Sequence, residues 1–101
     1  VLRREQNNRN GIYLNYINGY WYTYEWSAFL LCMLHPEVEV RKCIGVQPDE
    51  NYAIARVNKK IIKKLERKYQ TSMMDDSINI LLPPFNEDEN IFLNWKALLP
   101  P

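Results

Sequence analysis

The sequence is poor in glycine, the residue that phosphate-binding loops need most. It has three glycines among 101 residues, at Gly11, Gly19 and Gly45. Loops that cradle nucleotide phosphates place several glycines within one short turn, whereas these three lie far apart. ATP or dinucleotide binding through such a loop is therefore excluded, and no small-molecule cofactor is expected.

Histidine and cysteine are also scarce, with His35 as the one histidine and Cys32 and Cys43 as the two cysteines. A catalytic triad built around His35 lacks a serine or cysteine placed to act as its nucleophile. The cysteines do not form the Cys-x-x-Cys spacing of metal sites, and both are predicted to be reduced thiols. We expect neither a catalytic site nor a metal site, and we do not expect an enzyme.

One string of residues imitates a nuclease. Pro48-Asp49 followed by Glu66-Arg67-Lys68 resembles the Pro-Asp…Glu-x-Lys pattern with which many nucleases hold Mg²⁺. In those nucleases the Glu-x-Lys part lies on a core strand, whereas here it falls on a lysine-rich predicted helix. A degenerate nuclease is therefore a minor alternative, which requires Asp49 and Glu66 to converge on a metal.

Long apolar runs are absent. The longest, residues 28–34, is far shorter than the roughly 20 residues that cross a bilayer. No signal-peptide pattern opens the sequence, so the expected location is cytoplasmic and no membrane partner is expected. With 47% hydrophobic and 25% charged residues, residues 1–101 are expected to form a single domain with one core, and residues 1–10 are expected to be frayed.

The clearest local signal is a β-hairpin. Two aromatic and apolar runs, residues 12–17 and 20–24, flank Asn18-Gly19, and both central positions of a type I′ turn need the positive φ that Asn and Gly tolerate. The turn fixes the register, and the alternation of strand side chains then divides the ribbon into two faces. One predicted face carries Tyr13, Asn15, Ile17, Tyr20, Tyr22 and Tyr24, and the other carries Ile12, Leu14, Tyr16, Trp21, Thr23 and Glu25.

Hydrophobic periodicity predicts the other elements. They are a buried helix capped by Ser27 and running to about residue 34, a strand at 38–41, a strand at 52–57, a helix over 59–70 capped by Asn58, and a strand at 78–82. Residues 86–99 are predicted to form a terminal helix opened by an Asn86–Glu89 capping box, with a strand as the alternative. The predicted fold is α+β, a single layer of mixed sheet with helices packed on it, in the order ββα-ββα-β-α.

Positive charge concentrates in the second predicted helix and just before it. Residues 56–68 contain seven cations against one carboxylate, Glu66. Like charges repeated at i,i+4 destabilise a helix unless a partner neutralises them, and a phosphate backbone would do so. The alternatives are a solvated surface or an internal match with acidic residues 87–89. The nucleic-acid-binding candidates here are Arg56, Lys59, Lys60, Lys63, Lys64 and Lys68.

Two aromatic features are further candidates for binding. Tyr20, Trp21 and Tyr22 of the hairpin, in the row that Tyr24 continues, could stack on bases, or could fill the core as good strand formers do. The stripe of Phe92, Trp95 and Leu99 on the terminal helix could dock on another protein, or could cover the sheet of its own domain.

Residues 11–82 resemble the N-terminal mismatch-recognition domain of MutS. The run Asn-Gly-Tyr-Trp-Tyr-Thr-Tyr-Glu-Trp-Ser-Ala at 18–28 is similar to the family's Gly-Asp-Phe-Tyr-Glu strand and following helix. The run Ala-Ile-Ala-Arg-Val at 53–57 is similar to its Gly-Val-Pro entry into a helix. Tyr20 corresponds to the phenylalanine of the family's Phe-x-Glu motif and could stack, whereas Tyr22 replaces the glutamate and cannot supply its carboxylate.

The resemblance implies a stand-alone relative of a DNA-binding domain, of a kind carried by mobile elements, without the family's mismatch specificity. The leading hypothesis from the sequence is therefore a non-enzymatic module that binds DNA through the hairpin and the basic helix. The alternative is a protein-interaction domain that uses the terminal helix.

Overall fold

The computed structural model describes residues 11–45, 51–83 and 89–101. They form six strands, which are β1 (Gly11–Ile17), β2 (Tyr20–Tyr24), β3 (Val40–Cys43), β4 (Tyr52–Val57), β5 (Gln70–Met74) and β6 (Ser77–Leu81). They also form three helices, which are α1 (Glu25–Leu34), α2 (Lys59–Lys68) and α3 (Glu89–Ala97). The predicted fraying of residues 1–10 and the predicted cap at Asn86 lie outside the described residues.

The six strands form one open sheet in the order β3-β4-β2-β1-β6-β5. The α+β class is confirmed, but every neighbouring pair of strands is antiparallel, so the predicted mixed sheet is wrong in that detail. The sheet also contains β5, which the sequence did not reveal. This edge strand is exposed at all of its residues except the half-buried Thr71, so it lacks the alternation of buried and exposed residues that predicts a strand.

The predicted hairpin is confirmed, including its register. Asn15 pairs with Tyr22, Tyr16 with Trp21 and Ile17 with Tyr20. Asn18 and Gly19 have φ values of 51° and 90°, the positive values that a type I′ turn requires. The strand residues are therefore divided between the two faces as the sequence predicted, except that Glu25 lies in α1 and not on the ribbon.

All three helices pack on one face of the sheet. On that face Ile12, Leu14, Ile78 and Ile80 meet the buried side of the helix layer. The helices contribute the buried residues Phe29, Leu30, Leu31, Ile61, Ile62, Leu65 and Phe92. No helix of the described segments packs on the opposite face, which we call the open face.

The two helix caps predicted from the sequence have different outcomes. The Asn58 side chain accepts a hydrogen bond from the Ile61 amide at 3.0 Å, which confirms it as the N-cap of α2. Ser27 does not cap α1, because that helix begins two residues earlier, at Glu25. The Ser27 hydroxyl is instead buried against β1, where it accepts from the Tyr13 amide at 2.9 Å and donates to the Gly11 carbonyl at 3.4 Å.

Glu25 joins β2 directly to α1 in a left-handed conformation, with φ of 49°. This region costs an L-residue with a side chain roughly 1–2 kcal/mol. Its carboxylate accepts a hydrogen bond from the Ala53 amide of β4 at 2.7 Å and one from the Lys96 ammonium of α3 at 3.0 Å. The side chains of Glu25 and Lys96 are each 19% exposed. Glu25 therefore links the sheet, α1 and α3.

We predict that Glu25→Ala lowers the free energy of unfolding by about 2–3 kcal/mol, because it leaves the Ala53 amide unsatisfied and the Lys96 charge partly buried without a partner. Urea unfolding followed by circular dichroism measures the change. Glu39→Ala is the matched control, since its ion pair with Arg41 is exposed, at 73% and 62% of the two side chains. Equal losses in the two variants would contradict this role for Glu25.

Candidate nucleic-acid interface

One half of the open face is built by β2, β4 and β3. Because side chains alternate along a strand, Tyr20, Tyr22 and Tyr24 all point away from the helix layer. On β4, Arg56 lies beside Tyr22 and Ile54 lies beside Tyr24. The next strand places Arg41 beside Ile54 and Cys43 beside Tyr52.

These side chains form an aromatic surface with cations among the rings. The guanidinium of Arg56 lies over the Tyr20 ring, 4.7 Å from its centroid. The rings of Tyr24 and Tyr52 have centroids 6.0 Å apart at an interplanar angle of 50°. A shallow concavity of about 430 Å³ lies between the strands, lined by Tyr22, Glu39, Arg41, Ile54 and Arg56.

The charge of this surface is positive and its tyrosines include two with raised pKa values. Burial, followed by the neighbouring Tyr22 and Cys43, raises the pKa of Tyr24 above its usual value. A hydrogen bond with Cys43, followed by burial, raises the pKa of Tyr52. Both phenols are therefore neutral at physiological pH and do not repel an anion. Arg41 pairs with Glu39 at 3.2 Å, while Arg56 has no carboxylate partner among the described residues.

The open face is partly closed along the middle of β1. Asn15, which pairs with Tyr22 on one side and Ser77 on the other, is 6% exposed although it lies on this face. Tyr13 is half-buried, as are Tyr22 and Tyr24, whereas Tyr20 is 51% exposed. The exposed side chains of this face therefore form two groups, one on β2, β4 and β3 and one at the β6 and β5 edge, where Leu81 and Met74 are 46% and 73% exposed.

The cations of α2 lie on the opposite side of the molecule from the tyrosines. Because Ile61, Ile62 and Leu65 face the sheet, the charged side chains of the helix point outward from the helix layer. The exposed cations are Lys59, Lys60, Lys63, Lys64, Arg67 and Lys68. The sequence offered the hairpin tyrosines and these lysines as two parts of one DNA-binding module, and the structure places them on two surfaces separated by the sheet.

No carboxylate in the described ranges forms an ion pair with an α2 cation. The predicted internal match with Glu89 is therefore not made, and residues 87 and 88 lie outside those ranges. Glu37, which lies before β3, interacts electrostatically with Lys64 of the helix. Hydrogen bonds from its own backbone amide and from His35, and then the charges of His35 and Lys64, hold the pKa of Glu37 below its usual value.

Trp21 does not belong to the open face. It points to the helix side of the sheet, where it is half-buried against the core, and its ring centroid lies 5.1 Å from that of Tyr16. Of the three predicted stacking residues, Tyr20 and Tyr22 therefore share the open face and Trp21 has the structural role that the sequence offered as its alternative.

The stripe on α3 also packs inside its own chain. Phe92 is 8% exposed and its ring lies 5.4 Å from Trp26 and 5.7 Å from Phe29. Trp95 lies 5.1 Å from Phe29, and Leu99 packs beside the second core cluster. The predicted helix is confirmed, but Phe92, Trp95 and Leu99 do not form an exposed docking surface, because they cover the sheet of their own domain.

The described residues do not support a metal site or a membrane-spanning helix. Within the described segments no three histidine, cysteine or acidic side chains are grouped to hold a metal ion. Glu66 of the nuclease-like string is exposed on α2, and Asp49 lies outside those segments. Both cysteines are free thiols. No helix in the described part of the chain is long and apolar enough to span a membrane.

Comparison with known proteins adds no assignment: no family model, no curated protein and no solved structure matches this chain. The site therefore has to be interpreted from its own geometry. Sequence reasoning missed Arg41, Tyr52 and Ile54, because nothing local indicates that β4 pairs with β2, from which α1 and β3 separate it along the chain. The alternation of Tyr52, Ile54 and Arg56 was the available signal.

We predict that Phe92→Ala lowers the free energy of unfolding by about 3–5 kcal/mol, because it removes a ring from the core where Trp26, Phe29 and Trp95 meet. Leu98→Ala is the control on the same C-terminal segment, since Leu98 is 86% exposed, and it should change the stability by less than about 0.5 kcal/mol. Thermal unfolding measures both variants. A Phe92→Ala variant as stable as the wild type would contradict the core position of Phe92 and would favour the alternative that the stripe docks on another protein.

Proposed function

We propose that this protein is a nucleic-acid-binding module that holds unpaired bases on the open face of its sheet, without catalysing a reaction. The single observation that carries the proposal is the row of Tyr20, Tyr22 and Tyr24 on a surface that no described helix covers, flanked by Arg56 and Arg41 on the neighbouring strands.

The spacing of the row suits an extended single strand. Side chains on one face of a strand are about 6.6–6.8 Å apart along it, since each residue advances the strand by about 3.3–3.4 Å. Three tyrosines in such a row offer consecutive stacking positions for neighbouring bases. Stacking on an aromatic ring contributes roughly 1–3 kcal/mol per base and tolerates any base, because each base has a π-face.

The arginines supply the electrostatic part of the interaction. Arg56 lies within one strand spacing of the tyrosine row, and Arg41 lies one strand further out, so phosphates of a bound strand can meet both. Arg56 already lies over Tyr20, and its guanidinium has donors left for a phosphate. The concavity between these side chains falls within the range of volumes of small-molecule sites, enough for a base.

The proposal concerns general binding rather than mismatch reading. Tyr22 stands where the resemblance to the MutS domain would place a carboxylate, and a phenol cannot accept the same hydrogen bonds. The resemblance itself stays a prediction, and the stacking proposal does not depend on it. DNA and RNA both present unpaired bases and phosphates, and the choice between them is an outcome of the experiment.

We predict that Tyr22→Ala weakens binding of a short fluorescein-labelled oligothymidylate about tenfold, which corresponds to about 1.4 kcal/mol of lost stacking. Fluorescence anisotropy measures the Kd, which should also rise steeply between about 50 and 200 mM salt because phosphates are neutralised. The matching oligouridylate, measured in the same way, tells whether RNA is preferred.

Two further variants make this test specific. Tyr22→Phe keeps the ring and should keep the affinity. Tyr16→Ala removes an exposed tyrosine, 46% accessible, from the opposite face of the neighbouring strand and should leave the affinity unchanged. A wild-type protein that binds neither oligonucleotide even at low salt would overturn the proposed function, as would equal losses in the Tyr22→Ala and Tyr16→Ala variants.

A further inference from the structure

The outer side of α2 is the second strongly charged surface of the molecule, and the open-face proposal leaves it unused. We call it the basic surface, and it consists of Lys59, Lys60, Lys63, Lys64, Arg67 and Lys68. Because successive helix residues are about 100° apart, these six cations occupy an arc of about 180° opposite the buried residues. Glu66, the one carboxylate of the helix, lies at the margin of this arc.

The basic surface is costly for the helix to maintain. Lys59 and Lys63, Lys60 and Lys64, Lys63 and Arg67, and Lys64 and Lys68 are like-charged pairs at i,i+4, each of which destabilises a helix by a few tenths of a kcal/mol. Cations near the N-terminus of a helix are also unfavourable in the field of its dipole. No ion pair within the described residues neutralises these cations, although Glu37 interacts electrostatically with Lys64. An external polyanion would therefore relieve their repulsion.

The chemistry of the basic surface differs from that of the open face. Its outward residues are cations, and the aromatic ring beside them is that of Tyr69, which is half-buried at the end of the helix with the Lys68 ammonium 5.6 Å from its centroid. It therefore offers charge without stacking. The ten residues of α2 span about 15 Å. A duplex presents one phosphate charge per about 1.7 Å of its axis, so several phosphates lie within reach of the helix.

An anionic membrane is the other extended polyanion, and the burial of the helix argues against it. Helices that lie on membranes insert apolar side chains below the headgroups. The apolar residues Ile61, Ile62 and Leu65 are 5%, 5% and 1% exposed and belong to the core, so α2 has no apolar side chain to insert.

We infer that the basic surface is a second site, for the phosphate backbone of duplex nucleic acid, which acts independently of the open face. This inference rests on the proposed function. It implies that one molecule holds an unpaired strand on one side of the sheet and a duplex on the other, and so bridges the two. The two ligands should bind without displacing each other.

The test uses the full chain and two complementary variants. Lys60→Glu/Lys63→Glu reverses two outward charges of the basic surface. The new carboxylates stand four residues before Lys64 and Arg67, in the favourable orientation for helix pairs, so this variant should be at least as stable as the wild type. Lys60→Arg/Lys63→Arg preserves the charge and is its control. Tyr22→Ala is the variant of the open face.

Anisotropy with a labelled duplex and with labelled oligothymidylate separates the two sites. For Lys60→Glu/Lys63→Glu we expect duplex binding to weaken at least about tenfold and oligothymidylate binding to change less than about threefold, because the duplex meets more of the reversed charge. Tyr22→Ala should show the reverse pattern. Beads that carry the duplex should capture labelled oligothymidylate in the presence of the wild-type protein, and each variant should lose this capture.

Several results would overturn the inference while leaving the proposed function intact. Complete competition between duplex and oligothymidylate would show one shared site, as would equal weakening of both ligands by Lys60→Glu/Lys63→Glu. Unchanged duplex binding by that variant would remove the basic surface from the interaction. Binding of phosphatidylserine vesicles but not of the duplex would reassign the surface to membranes. Failure of the proposed function would give a different result, because the Tyr22→Ala variant would then bind oligothymidylate as the wild type does.

Discussion

The two-sided architecture depends on the passage from β2 into α1 at Glu25. There the chain leaves the sheet without a loop, and a left-handed residue sets the direction of the turn. The Glu25 carboxylate then accepts one hydrogen bond from the Ala53 amide of β4 and another from the Lys96 ammonium of α3. The same residue thus ends a strand, begins a helix and anchors the terminal helix, all on one side of the sheet.

Once the helices lie on one side, the character of the other side follows from the sequence of β2. Strand alternation sends Thr23 into the core and Tyr20, Tyr22 and Tyr24 outward. In a sheet covered on both faces these rings would be core residues, whereas here Tyr20 is 51% exposed and Tyr22 and Tyr24 are half-buried. The aromatic cluster of α1 and α3 is part of the core on the covered side.

Local patterns predicted local structure well. Asn18-Gly19 gave the hairpin and its register, Asn58 the start of α2, and the spacing of Phe92 and Trp95 the terminal helix. The predictions failed where contacts between distant parts of the sequence determine the structure. β5 is a strand because it pairs with β6. Ser27 does not cap α1, which begins two residues earlier, and its hydroxyl bonds to β1 instead. The site was half predictable for the same reason, since Tyr20 and Tyr22 lie within one hairpin whereas Arg41 joins them through β4.

The most direct measurement of the central claim is a heteronuclear NMR titration of the ¹⁵N-labelled protein with unlabelled oligothymidylate. The account predicts that the largest amide shifts fall on Tyr20 to Tyr24 and on their neighbours Ile54, Arg56 and Arg41. Shifts confined to the helix layer, or no shifts at low salt, would contradict the claim that the uncovered side of the sheet holds unpaired bases.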